Sequence, residues 1–159
     1  MKNLFPFLFT TAGLGLLAFQ YLGREVYLCE DFNLEELTRT GTGLANVPSP
    51  EALANLSFLC REVLQPFRDT VGRLQVTSGY RSPQVNAATG GHHSSYHMQG
   101  MAVDVVPLDT PYPEAWGSLL ELIAEGAPID KAGNYAGTEG HIHIQSKGPT
   151  GNRGEVYYA

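Results

Sequence analysis

The chain has 159 residues, 43% of them hydrophobic and only 16% charged, which suits one domain with a proper core and hardly two. Its formal net charge of -6 and its lack of any Lys/Arg cluster exclude a phosphate-backbone binder, so no nucleic-acid partner is expected. The same charge excludes simple electrostatic adhesion to an anionic wall or membrane.

The first segment, Asn3 to Gly23, carries no charge and lies between Lys2 and Arg24. About 20 apolar residues span a bilayer as a helix. Lys2 and the starting amine favour an N-inside orientation, which would put the rest of the chain outside the cytoplasm. Residues 1–23 therefore read as a hydrophobic helix that anchors the protein in a membrane. A cleaved signal peptide, giving a secreted protein, is the rival: Gly23 is small, but Tyr21 two places earlier is not. Residues 24–159 form the remaining domain.

Asn33 is the expected N-cap of a short helix with Glu35 and Glu36 in its first turn, where the helix dipole favours them. Ser49 and Pro50 open a longer helix to about Asp69. Its apolar positions Leu53, Leu56, Leu59, Cys60, Val63, Leu64 and Phe67 recur at three and four residues, and Pro66 is expected to bend it. Cys29 and Cys60 would pair in an oxidising compartment, closing a loop that contributes ~3–4 kcal/mol. The alternative is two small buried apolar side chains.

A strand follows over Leu74–Thr77, then a small helix capped by Ser82 with Pro83 at its first position and Gly90 as its stop. GHHSSYHMQG is a polar loop and MAVDVVP a strand. TPYPEAWGSLLELIAEG is a helix capped at Thr110, HIHIQ a strand, and GEVYYA a last edge strand. The order predicts an α+β fold, a small antiparallel sheet with helices packed on one face.

Alternation along strands puts His141, His143 and Gln145 on one face and Ile142 and Ile144 in the core. Ala102, Asp104 and Val106 share a face likewise. Two neighbouring strands can then aim Asp104 and His143 at one point, and His97, in the loop leading into the first strand, closes the set. Two imidazoles and a carboxylate make a three-ligand zinc site with a position left for water, the arrangement of catalytic zinc. The same N/O donor set tolerates other divalent metals.

TSGYRSPQVN followed by GGHHSSYHMQGMAVDV resembles the zinc D-Ala-D-Ala carboxypeptidase/endopeptidase family. That family belongs to the group named for lysostaphin, D-Ala-D-Ala metallopeptidases and sonic hedgehog. Its pattern S-x-H-x-x-G-x-A-x-D is matched by Ser95, His97, Gly100, Ala102 and Asp104, its S-G-Y-R by Ser78 to Arg81, and its later metal histidine by His143. FNLEELTRT, EVLQPFRD and GNRGEVYYA are similar to phage-type members.

The resemblance, over roughly residues 29–159, implies a zinc peptidase acting on D-amino-acid-containing bonds of peptidoglycan stem peptides, in phage wall lysis or entry. It implies that Arg81 binds substrate carboxylate or the developing oxyanion, and that Ser95 contacts substrate or orients a ligand. Many relatives place an acid just ahead of the last metal ligand. Here Gly140 stands three before His143 and the acid is one place earlier, Glu139. Candidates for the general base are therefore Glu139, His141 and Asp130. The displaced acid motivates another reading, a virion or envelope component that keeps the zinc and binds wall peptide without cutting it. A small-molecule hydrolase with the same metal is a third.

Overall fold

A computed structural model describes residues 25–136 and 140–158. The expected anchor over residues 1–23 and the base candidate Glu139 lie outside the described residues. Among the described residues no helix is long and apolar enough to cross a membrane.

Helix α1 is Leu34–Thr38, capped as expected by Asn33, whose side chain accepts from the Glu36 N–H. The long helix opens as α2, Pro50–Leu59, with the Ser49 hydroxyl accepting from the Ala52 N–H. Its three- and four-residue apolar stripe is buried. Pro66 has no N–H to give, and its ring would press on the carbonyl four residues back. The chain meets this with a wide turn over Cys60–Leu64, the Gln65 N–H reaching the Cys60 carbonyl, before α3 continues over Gln65–Val71. The bend expected at Pro66 is thus a local widening of one helix. Cys60, at the start of that turn, is disulfide-bonded to Cys29.

Strand β1 (Leu74–Ser78) leads to α4 (Pro83–Ala88), a short tight helical turn Tyr96–Gln99, and β2 (Ala102–Pro107). Helix α5 is Tyr112–Ala124, followed by β3 (Lys131–Tyr135), β4 (His141–Gln145) and β5 (Glu155–Tyr158). The sheet order is β1-β2-β4-β3-β5. All neighbours are antiparallel except β3 and β5, which are parallel, so the sheet is mixed rather than antiparallel throughout. Val76, Val103, Val105, Ala132, Ile142 and Ile144 form the core face, packed with the apolar residues of α2, α3 and α5. The α+β class holds.

Two local expectations change. Thr110 does not cap α5, because its hydroxyl donates to the Val71 carbonyl at 2.7 Å, tying the helix entry to the end of α3. Strand β3 is an addition to the expected elements: Gly133 and Asn134 are poor strand formers. Gly133 is required there, since a Cβ would overlap the Tyr157 ring from β5.

Candidate metal centre and its cleft

The register carries one row of residues across the polar face: Ser78, Asp104, His143, Gly133 and Tyr157, one from each strand. A bulge between Val76 and Ser78 puts Ser78, rather than Thr77, opposite Asp104. Inserting one residue re-aims the strand end toward the polar face. Thr77 is left to donate its hydroxyl to the Asp104 carbonyl at 3.2 Å.

Asp104 Oδ1 lies 2.7 Å from His143 Nδ1, and its Oδ2 lies 3.4 Å from His97 Nε2. One ligand atom from each of these three residues falls within 4.8 Å of the others. His97 reaches the row from the turn Tyr96–Gln99, which ends at Gly100 with φ 70°. That left-handed turn favours glycine, and a Cβ there would also strike the Ala52 carbonyl of α2. The Gln99 carbonyl accepts from Asn55 at 3.0 Å, so the turn is fastened to α2.

The second ring nitrogen of His97, Nδ1, is 2.8 Å from the Gly79 carbonyl. A carbonyl can only accept, so Nδ1 carries the proton and Nε2 presents its lone pair to the site. A backbone acceptor behind a histidine is how metal-ligating imidazoles are oriented. The donor chemistry thus fits one divalent ion held by His97 Nε2, His143 Nδ1 and the Asp104 carboxylate. Burial works against ionising Asp104, but the neighbouring His143 and His97 imidazoles outweigh it and hold the carboxyl far below its usual range.

Arg81 lines the same cleft. Its Nη2 is 3.1 Å from Asp104 Oδ2, and its Nε donates to Ser78 Oγ at 2.7 Å. The backbone on both sides of it is held by Asn46, which donates to the Tyr80 carbonyl at 2.8 Å and accepts from the Ser82 N–H at 2.6 Å. Ser95 does not line the cleft. Its hydroxyl caps the turn, accepting from the His97 N–H at 3.3 Å, so it places His97.

The cleft, of about 250 Å³, is lined by Arg81, His97, Asp104, Tyr135, His141, His143 and Tyr157. Of the candidate bases, His141 belongs to it, with Nε2 4.0 Å from Asp104 Oδ1 and its ring stacked on Tyr135 at 4.5 Å between centroids. Asp130 does not. It is fully buried away from the cleft, where Arg153 and Lys147 pair with it and Gln145 donates to it at 2.9 Å. The Arg153 guanidinium, then Lys147, hold its carboxyl well below the usual range against the opposing effect of burial. Its place is that of an ion-pair centre joining the start of β3 to the segment before β5.

Sequence reading does not find Tyr135, Tyr157 or Asn46. Tyr135 is hidden because its strand, β3, has no strand-like composition, and nothing in EVYY says which tyrosine faces the metal row. Asn46 lies in a loop where Asn is ordinarily only a turn residue.

None of the curated proteins compared with the chain matches it. A family model described as Peptidase M15 does, over residues 30–145, a span that holds His97, Asp104, His143 and Arg81. With that match over most of its length, the chain belongs to the Peptidase M15 family.

Proposed function

We propose that this peptidase is zinc-dependent and hydrolyses D-amino-acid-containing bonds in peptidoglycan stem peptides. The observation that carries the reading is the convergence of His97 Nε2, His143 Nδ1 and the Asp104 carboxylate at the floor of a cleft that also holds a guanidinium. Bound there, zinc supplies a Lewis acid that activates water and polarises the scissile carbonyl.

The chain's own groups do the rest. Arg81, held by Ser78 and by the Asn46-braced backbone, offers planar paired donors to a substrate carboxylate or to the oxygen that gains charge. His141, projecting into the cleft from the same strand as His143, takes the water proton and returns it to the leaving amine. The Cys29–Cys60 disulfide favours an oxidising compartment, which supports placing the domain outside the cytoplasm, tethered or exported by residues 1–23. Wall lysis or entry by a phage is the setting that the phage-type resemblance supports.

The test is direct. The purified, zinc-loaded chain is incubated with purified peptidoglycan and newly released amines are counted. Release is expected, and it should vanish on chelation and in His143→Ala. Sedimentation with the wall but no amine release would replace the peptidase with a binding-only protein; release that survives both treatments would remove the metal from the reaction.

A further inference from the structure

Resting on the peptide-hydrolase reading, we propose that Tyr157 is a substrate-contacting residue, whose phenol hydroxyl donates a hydrogen bond to a carbonyl oxygen of the bound peptide across the cleft from Arg81. The topology sets the two at opposite ends of one row: Arg81 follows β1 at one edge of the sheet, and Tyr157 sits on β5 at the other. Asp104 and His143 lie between them in register. A peptide lying across the metal ligands therefore meets a guanidinium at one end and a phenol at the other.

The inward aim of Tyr157 is built into its neighbours. Gly133, opposite it on β3, leaves the space that the ring's hydroxyl end fills. The ring stands edge-on to Tyr135, with centroids 5.9 Å apart and planes at 90°, and lies 6.5 Å from the His143 ring. The two phenol oxygens are 3.4 Å apart. When Tyr135 donates to Tyr157, the Tyr157 proton is left for a ligand in the cleft, the acceptor-rich backbone of a peptide being the chemistry it fits. Tyr157 lies on the C-terminal strand, beyond residues 30–145, the span matched by the family model.

The experiment compares the zinc-loaded full chain with Tyr157→Phe and Tyr135→Phe on purified stem peptides, measuring kcat and KM separately, zinc content and melting temperature. Tyr157→Phe should lower kcat/KM roughly tenfold, the worth of one hydrogen bond, with zinc content and melting temperature unchanged. Tyr135→Phe should have the smaller effect. A kcat/KM within twofold of the wild type in Tyr157→Phe overturns the proposal alone. So does a loss confined to Tyr135→Phe, which would assign the donor to Tyr135, or a loss that follows zinc content or melting temperature. An inert wild type overturns the peptidase reading and this proposal together.

Discussion

At the scale of single residues, His97 shows how much of an imidazole's behaviour is set behind it. The Gly79 carbonyl fixes the proton on Nδ1, and Gly79 itself belongs to the S-G-Y-R stretch that positions Arg81. The His97 imidazole and the Arg81 guanidinium are therefore oriented by one turn. Asp104→Asn keeps the shape but removes the charge from the centre of the set, and dialysis against zinc should show affinity reduced by more than the 10–100-fold typical of an outer partner. Arg81→Lys keeps the charge but loses the fork that bonds Ser78 and Asp104 together. Zinc content should be unchanged while kcat/KM on stem peptides falls by roughly tenfold or more; unchanged kinetics would show that any cation serves.

Residues of this kind are legible in the sequence because their types are rare in strands. His141, His143 and Asp104 interrupt apolar alternation, and a period of two is enough to place the two histidines on one face and Asp104 opposite the core. Asp130 carries the same type of signal and a different meaning. A buried carboxylate with two cationic partners looks, in one dimension, like a buried carboxylate with a catalytic task. The partners, Lys147 and Arg153, come from farther along the chain and only the fold brings them near. Asp130→Asn should therefore leave zinc binding intact while lowering stability in urea by about 1.5–3 kcal/mol, the range for hydrogen bonds to charged groups.

At the scale of elements, small local devices carry the site to its place. The bulge in β1 turns Ser78 toward Asp104, Gly100 lets the His97 turn lie against α2, and Gly133 opens the floor for Tyr157. Helix caps and apolar stripes are readable from sequence because they depend on neighbours within a few residues: Asn33, Ser49 and Ser82 all cap as expected. The bulge and β3 are not, since each depends on a strand from elsewhere. Gly100→Ala meets both a left-handed backbone and the Ala52 carbonyl, so it should cost more than the ~1 kcal/mol of an unhindered left-handed alanine. Chemical denaturation should show that loss with a parallel fall in zinc affinity, because the same turn carries His97.

Across the whole molecule, a five-stranded sheet keeps its apolar face under the helices and gives its other face to chemistry. Stability should follow the ion pairs that close its edge. Because the Asp130 carboxyl is depressed in the folded state, its contribution is fully present above its unfolded value of about 3.9 and is lost as pH falls through the folded value. Melting temperature should thus decline below about pH 4, and Asp130→Asn should flatten that part of the curve. A wild-type and variant profile that stay parallel would mean that other carboxylates govern acid unfolding.

The central claim, that three side chains hold one metal ion that makes this chain a wall-peptide hydrolase, is tested most directly by mass spectrometry of purified peptidoglycan fragments. The chain is first stripped of metal, and zinc is then added back in steps. Fragments cut at a D-amino-acid-containing bond should be absent at the start, rise with zinc and level off at one equivalent, and never form with His143→Ala. Cleavage by the stripped chain, or intact fragments at a full equivalent of zinc, would contradict it.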